Sequence, residues 1–244
     1  MNTPKLLFSL IALASIFFAE SVVAQGTWVT KVSATNAVSH ASAVVISNTL
    51  YLIGGSNGDE TSYHQAYNAS TNTWSTSVAQ LPAPRYSAGA ATVNNKIYVA
   101  GGANNQTYYT QILIYDPGTD SWSTGAAMNA TGRFTTAAAT LGGLVYVAGG
   151  SDASANKLAT MEAYNPTSNT WANKAAMSVA RNGLALVELN GKLYAIGGND
   201  GTKTLKLVEE YNPITDNWTT KDSMLTARQE FAAVAINGKI YVFG

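Results

Sequence analysis

Short apolar runs separated by polar turns recur along the chain in a pattern typical of antiparallel β-strands. Runs rich in Ala and Val, at 88–93 and 231–236, are each followed by a two-residue turn, such as Asn94-Asn95. Asn and Gly tolerate the positive φ that tight hairpin turns require. The next run, for example 97–100, is apolar without interruption, which indicates a strand buried on both faces. After a polar loop, a third strand, a tight turn and a fourth strand complete the unit.

This four-strand unit repeats along the chain. Its Gly-Gly doublets are spaced by 47, 48 and 48 residues, a Tyr follows each doublet, a Trp stands seven residues after that Tyr, and an Arg precedes the last three doublets by 16 residues. The markers are Gly54, Gly55, Gly101, Gly102, Gly149, Gly150, Gly197 and Gly198; Tyr67, Tyr115, Tyr164 and Tyr211; Trp74, Trp122, Trp171 and Trp218; and Arg85, Arg133, Arg181 and Arg228. We expect structural roles for these markers. The glycines should let backbones approach closely, and the aromatic rings should be buried between units with their hydroxyl or indole N–H bound to a carbonyl. The arginines should pair with Glu162 or Glu209.

Four strands in a period of about 47 residues, with Gly-Gly and aromatic markers, are the pattern of a β-propeller blade. Over residues 28–244 the sequence resembles kelch repeats, which implies an all-β, kelch-type β-propeller of four-stranded antiparallel blades. Units 38–78, 85–126, 133–175 and 181–222 are complete, and a fifth begins at Arg228. The first unit has Val38 in place of the Arg. Trp28 marks a lone fourth strand, so we expect a C-terminally truncated propeller, with six blades and a monomeric state when intact.

Residues 1–24 have the pattern of a secretory signal peptide. Lys5 supplies the positive charge, residues 6–19 are apolar, and Ala24 precedes the expected cleavage site. The alternative is an N-terminal anchor helix, although the apolar run is shorter than the roughly 20 residues that span a bilayer. We therefore expect a propeller of residues 25–244 that is secreted or periplasmic, with no membrane span after cleavage.

Composition excludes several functions. The chain has 14 basic and 14 acidic residues and zero net charge, so nucleic-acid binding is not expected. It has no Cys, and its His, Asp and Glu residues show no metal-ligand spacing, so neither a metal nor a cofactor is expected. A galactose-oxidase-like copper enzyme, which shares the kelch fold, would need a Cys for its cross-linked Tyr cofactor.

Function is expected where the repeats differ. The kelch resemblance implies a ligand-binding face built from the loops after the doublets and from the positions just after the repeat Arg. Candidates are Ser39, His40, Tyr86, Ser87, Phe134, Thr135, Asn182, Gln229 and Glu230 after the Arg positions, and Asn57, Asn104, Asp152 and Asp200 in the loops. Turn chemistry explains the four loop residues better than ligand contact does. The mixed aromatic, amide and hydroxyl groups suit a glycan or a protein ligand.

Two functions are consistent with this pattern. The first is an exported binding or interaction module that recognises a protein or glycan on the loop face. The alternative is a carbohydrate-active enzyme resembling the periplasmic kelch-type sialic-acid epimerases, or mutarotases, with His40 and Glu230 as acid and base. No paired carboxylates for glycoside hydrolysis are evident. The predicted export signal disfavours a cytosolic ubiquitin-ligase adaptor.

Overall fold

The computed structural model describes residues 29–244, which fold into β-strands and connecting loops without a helix. The first two sheets contain β1 Ser42–Ile46, β2 Thr49–Ile53, β3 His64–Asn68 and β4 Thr73–Ser75, then β5 Tyr86–Val93, β6 Lys96–Ala103, β7 Gln111–Asp116 and β8 Ser121–Ala127. The next two contain β9 Ala137–Leu141, β10 Leu144–Ala148, β11 Met161–Asn165 and β12 Thr170–Lys174, then β13 Ala185–Leu189, β14 Lys192–Ile196, β15 Val208–Asn212 and β16 Asn217–Lys221. A hairpin of β17 Ala232–Ile236 and β18 Lys239–Phe243 follows.

Each four-stranded sheet is an antiparallel meander in which consecutive strands are hydrogen-bonded neighbours. We call these sheets blades 1 to 4 in chain order. The first strands of successive sheets contact one another, β1 with β5, β5 with β9, β9 with β13 and β13 with β17. The blades are therefore arranged around a common axis with their first strands innermost, which confirms the predicted all-β propeller architecture of four-stranded antiparallel blades.

Two predictions concern the N-terminal region. The predicted signal peptide and Trp28 lie outside the described residues. From Val29 onward the chain runs beside blade 1, where the Val32 N–H donates to Asn72 Oδ1 at 3.1 Å and the Val32 carbonyl accepts the Trp74 indole N–H at 3.0 Å. Ala79, which follows the fourth strand of blade 1, makes the equivalent two bonds to blade 2. Residues 29–244 contain no helix long and apolar enough to cross a membrane.

The glycine doublets join neighbouring blades. The second glycine of each doublet donates its N–H to the carbonyl of the next unit's repeat Arg at 2.8–3.0 Å, as Gly102 does to Arg133. A Cβ on the first glycine would lie 2.1–2.6 Å from that same oxygen, for instance 2.5 Å between Gly101 and Arg133. Both glycines also have positive φ, 66° and 82° in this doublet. The doublet is therefore needed because only a backbone without side chains lets the next blade approach so closely.

A second inter-blade contact uses the aromatic markers. Tyr115 donates its hydroxyl to Asp120 Oδ1 at 2.7 Å, the same oxygen accepts the Ala79 N–H at 2.8 Å, and Trp122 donates its indole N–H to the Ala79 carbonyl at 2.8 Å. The other three sets are Tyr67, Asn72, Trp74 and Val32; Tyr164, Asn169, Trp171 and Ala126; and Tyr211, Asp216, Trp218 and Ala175. The expected carbonyl partner is confirmed for the indoles. Each tyrosine hydroxyl donates to the Oδ1 of an Asx residue at positive φ, which is an amide carbonyl in two sets and an aspartate carboxylate in the other two.

The predicted pairing of the repeat arginines with glutamates is confirmed in two blades. Arg133 lies 2.9 Å from Glu162 and Arg181 lies 2.9 Å from Glu209, and all four side chains are buried. The Glu162 carboxylate also accepts the N–H groups of Asn129 and Ala130, the backbone that enters blade 3. Each pair therefore joins the start of a blade to its third strand.

Blades 1 and 2 replace this ion pair in two different ways. In blade 2 Leu113 stands where the glutamate would be, and the Arg85 guanidinium carbon lies 4.0 Å from the centre of the Tyr109 ring. Burial lowers the pKa of Arg85 to about 10, so it stays protonated at neutral pH. In blade 1 Val38 replaces the arginine, and Gln65 replaces the glutamate and hydrogen-bonds the Asn36 backbone through both its amide atoms. A glutamate occurs two residues before the marker Tyr in blades 3 and 4, and both of these blades also have the repeat arginine.

This variation between blades predicts a coupled effect of substitutions in blade 3. Glu162→Gln leaves a buried Arg133 charge without its counter-ion and is expected to lower the unfolding free energy by about 3 kcal/mol. Adding Arg133→Val reproduces the pair found in blade 1, so the two changes should show a favourable coupling of about 2 kcal/mol in a double-mutant cycle. Urea denaturation measures it, with the exposed Glu188→Gln variant as control. Additive effects would contradict the interpretation.

A buried histidine at the interface of blades 1 and 2 gives a pH-dependent prediction. His64 is fully buried, its Nδ1 lies 2.8 Å from the Ala79 carbonyl, and its ring packs edge-on against Tyr115 and Trp122. Burial lowers the pKa of His64, against opposing effects of the Ala79 carbonyl and Asp120. The unfolded chain therefore binds a proton more readily than the folded one. Stability should fall as the pH drops below about 6.5, by up to about 1.4 kcal/mol per pH unit, until the lowered pKa is passed.

The matched variant is His64→Met, because Met161 occupies the equivalent place in blade 3. We expect the wild-type chain to lose more unfolding free energy than this variant between about pH 7 and pH 5, a range in which most carboxylates remain ionised. Denaturant unfolding at both pH values measures the difference. Parallel pH profiles of the two proteins would show that His64 protonation does not destabilise the fold.

Candidate ligand-binding site at the mouth of the propeller

The second residue after each repeat-Arg position lies closest to the axis at the end of the propeller where the doublets are found. These five residues, which we call the mouth ring, have left-handed backbone angles with φ between 51° and 59°. The backbone N–H of each mouth-ring residue after the first donates to the carbonyl of the preceding mouth-ring residue at 2.8–3.0 Å. In chain order the mouth ring is His40, Ser87, Thr135, Gly183 and Glu230. One residue from each unit is thereby fixed beside the axis.

In the first four units, the residue before the mouth-ring position pairs through its backbone with the loop that follows the glycine doublet of the same unit. Phe134 exchanges two backbone hydrogen bonds with Ser151, at 3.0 and 2.9 Å, and Ser39 and Asn182 make the same exchange with the residues after their own doublets. Tyr86 pairs with Ala103 in the same register. Because the backbone makes these bonds, the side chains at the mouth can vary without disturbing the scaffold.

A cavity of about 370 Å³ opens at this mouth. It is lined by His40, Ser56, Gly58, Glu60, Tyr86, Ser87, Asn105, Phe134, Thr135, Asn182 and Glu230. Seven of these belong to the positions that the sequence singled out after the repeat arginines. The remaining four lie in the loops after the first two doublets, which the kelch resemblance placed on the binding face, but they were not among the residues singled out there.

Aromatic rings form one wall of the cavity. Tyr86 and Phe134 pack edge to face with ring centres 6.4 Å apart, and Tyr108 packs behind Phe134 at 5.4 Å. The loop that carries Tyr108 is held by Glu60, whose carboxylate accepts the backbone N–H and the side-chain amide of Asn105, both at 2.7 Å. The Asn105 backbone N–H lowers the pKa of Glu60, which is therefore ionised at neutral pH. Glu60, in the loop after the first doublet, thus holds the loop after the second doublet, whose Tyr108 packs against Phe134.

The structure brings His40 and Glu230 together although they stand in the first and fifth units. His40 Nε2 lies 3.8 Å from Glu230 Oε2, and both side chains are about half exposed. On the other side of the imidazole, Nδ1 lies 3.1 Å from the Ser39 hydroxyl, which donates its own proton to the Ser56 carbonyl. With its own O–H donated to Ser56, the Ser39 oxygen accepts a hydrogen bond from Nδ1–H, and Nε2 faces the carboxylate.

The fourth position of the mouth ring carries no side chain. Ser87 and Thr135 occupy equivalent positions with nearly the same φ as Gly183, so the backbone angle alone does not require glycine there. A Cβ on Gly183 would lie 3.2 Å from Glu230 Cγ. The absence of a side chain at Gly183 therefore leaves room for the Glu230 side chain, which extends toward His40.

The other predicted site residues lie on the same face but outside the cavity lining. Asn104, Asp152 and Asp200 accept backbone N–H groups two to four residues further on and close their own loops, as turn chemistry predicts. The Thr202 hydroxyl and nearby N–H groups lower the pKa of Asp200 to about 2. Asn57 donates its backbone N–H to the Asp59 carbonyl.

Gln229 also serves the scaffold. Its Oε1 accepts the Asn199 side-chain amide at 2.7 Å and the Thr204 hydroxyl at 2.8 Å, which joins the fifth unit to the loop of blade 4. Among residues 29–244 no group of three or more His, Asp or Glu side chains could hold a metal ion.

Comparisons with known proteins agree with this architecture. The solved structure of YjhT matches with a TM-score of 0.73 and 18% sequence identity over 85% of this chain and 72% of that chain, a likeness of fold alone. No curated protein gave a significant match. The family model described as the KLHDC2/KLHL20/DRC7 Kelch-repeats domain matches residues 39–244, which include all the repeat markers named above. The chain therefore belongs to the kelch-repeat family.

Proposed function

We propose that the chain is an exported binding module whose mouth cavity binds a sugar group of a glycan. The observation that carries this proposal is that the aromatic pair of Tyr86 and Phe134 and several polar side chains line one cavity. The C–H faces of a sugar ring pack on aromatic rings, and its hydroxyls need donors and acceptors such as Asn182 and Ser87. Export rests on the signal-peptide pattern of residues 1–24.

A protein ligand is the other partner that this face suits. Protein partners generally cover about 800 Å² of surface on each side, whereas a cavity of about 370 Å³ falls in the range of small-molecule sites. A concave site of this size favours a sugar or a short terminal segment of a glycan. Capture of a protein but no glycan would support the protein ligand instead.

The aromatic wall gives the test of glycan binding. Full-length protein should bind a subset of a glycan array, and Phe134→Ala or Tyr86→Ala should weaken binding to those glycans by about tenfold, because each removes a stacking surface. The matched control is Ile214→Ala, which removes an exposed apolar side chain from a turn at the opposite end of the blades. Binding that survives both aromatic substitutions would contradict the proposal, and an effect of the Ile214 variant would indicate a non-specific loss.

A second candidate function is interconversion of sugar anomers, and the His40–Glu230 pair favours it. The Glu230 carboxylate would accept the proton of the anomeric hydroxyl while protonated His40 donates a proton to the ring oxygen. The bond between the ring oxygen and the anomeric carbon breaks and the open-chain carbonyl forms. Rotation and reclosure on the other face, with both proton transfers reversed, give the other anomer and restore both side chains.

Nuclear magnetic resonance of freshly dissolved single anomers tests this candidate. If it is correct, the wild-type chain accelerates equilibration over buffer, and Glu230→Gln or His40→Asn removes most of the acceleration, roughly 100-fold for each acid or base group. Gly183→Ser should also slow it, because the added side chain meets Glu230 without removing it. Glu188→Gln, at a hairpin on the opposite face, is the control. Equilibration no faster than in buffer would leave only the binding role.

A further inference from the structure

The charged groups of the mouth cavity indicate which sugars it accepts, an inference that rests on the proposed sugar-binding function. Of the lining residues, Glu60 and Glu230 carry carboxylates and His40 carries an imidazole, and none is Lys or Arg. The Glu60 carboxylate already accepts two hydrogen bonds from Asn105, so it is fixed at the rim as an anion. His40 already faces Glu230 at 3.8 Å.

No lysine or arginine side chain lines the cavity itself. Arg85, Arg133 and Arg181 come just before the lining positions in sequence, but their side chains are 0–3% exposed and bind backbone carbonyls or buried glutamates. Arg228, two residues before Glu230, is partly exposed but is not a lining residue. Lys157 lies on the same face, where its ammonium donates to the Ser151 hydroxyl at 3.2 Å and the Ala155 carbonyl at 3.4 Å. A ligand anion in the cavity would therefore meet two carboxylates, and the His40 imidazole is the one basic group among the lining residues.

We propose that the mouth accepts neutral and amine-bearing sugars and excludes sugars that carry a carboxylate, with Glu60 and Glu230 setting this selectivity. Like charges brought together in a partly desolvated site are strongly unfavourable, whereas an ammonium or a hydroxyl can donate to either carboxylate. The aromatic wall contributes equally to all three kinds of sugar, since it contacts C–H groups. The charge of one substituent therefore decides which sugar enters.

Matched sugars that differ in one substituent test this selectivity. Affinities of the full chain are measured by saturation-transfer NMR for glucose, glucosamine and glucuronic acid, and for galactose, galactosamine and galacturonic acid. In whichever series binds better, we expect the neutral sugar and the amino sugar each to bind at least about tenfold more tightly than the acid. The difference should narrow in about 1 M sodium chloride, where the Debye length is about 3 Å.

Two variants locate the effect and one serves as a control. Glu230→Gln and Glu60→Gln keep a side chain of the same size with a hydrogen-bond acceptor, and together they should bring the acid to within about threefold of the neutral sugar. Glu188→Gln removes an acid from the opposite face and should preserve the tenfold difference. An acid bound as tightly as its neutral partner would overturn this inference and leave sugar binding standing. Binding of none of the six sugars would overturn sugar binding and this inference together.

Discussion

The contact on which the propeller depends is the one between a repeat-Arg carbonyl and the glycine doublet of the preceding unit. One glycine N–H donates to that oxygen, and the neighbouring glycine has no Cβ that would collide with it. The contact recurs at Arg85, Arg133, Arg181 and Arg228, so the backbone is fixed at the same place in each unit. The two residues that follow are then fixed beside the axis. A site built from the residues after the Arg is thus a consequence of how the blades are joined.

The buried arginines show how the scaffold accommodates a charge in its interior. Burying a guanidinium away from solvent costs free energy. In blades 3 and 4 a glutamate offsets that cost, and in blade 2 the Tyr109 ring and backbone carbonyls do so. In blade 1 the arginine is replaced by Val38. What stays constant is the backbone geometry, not the charge. This explains why the arginine can be absent from one unit while its neighbours keep the same register.

Much of the fold could be predicted from the sequence because each unit repeats the same local rules. Strand periodicity, Asn/Gly turns and aromatic spacing placed the four strands of each blade. The position after the Arg singled out Tyr86 and Phe134, and both line the cavity. The loop residues of the cavity were missed because the second loop position was chosen by its recurrence. Recurrence marks turn closure, as at Asp200. Glu60 and Asn105 line the cavity and occur in one loop each, and no periodic signal reports where such a side chain points.

The meeting of His40 and Glu230 illustrates the part that sequence could not supply. Both residues were candidates because they differ from the residues at the same position in other units. The distance between them depends on the angle between successive blades, added up over the units that separate them. That angle is set by the inter-blade bonds of the doublets and of the Tyr–Asx–Trp sets, not by any local pattern. The absence of a side chain at Gly183 then lets Glu230 lie across the mouth ring. Since the backbone of the mouth ring keeps nearly the same φ with Ser, Thr, His, Glu or Gly, this scaffold can change its ligand by exchanging single side chains without altering how it folds.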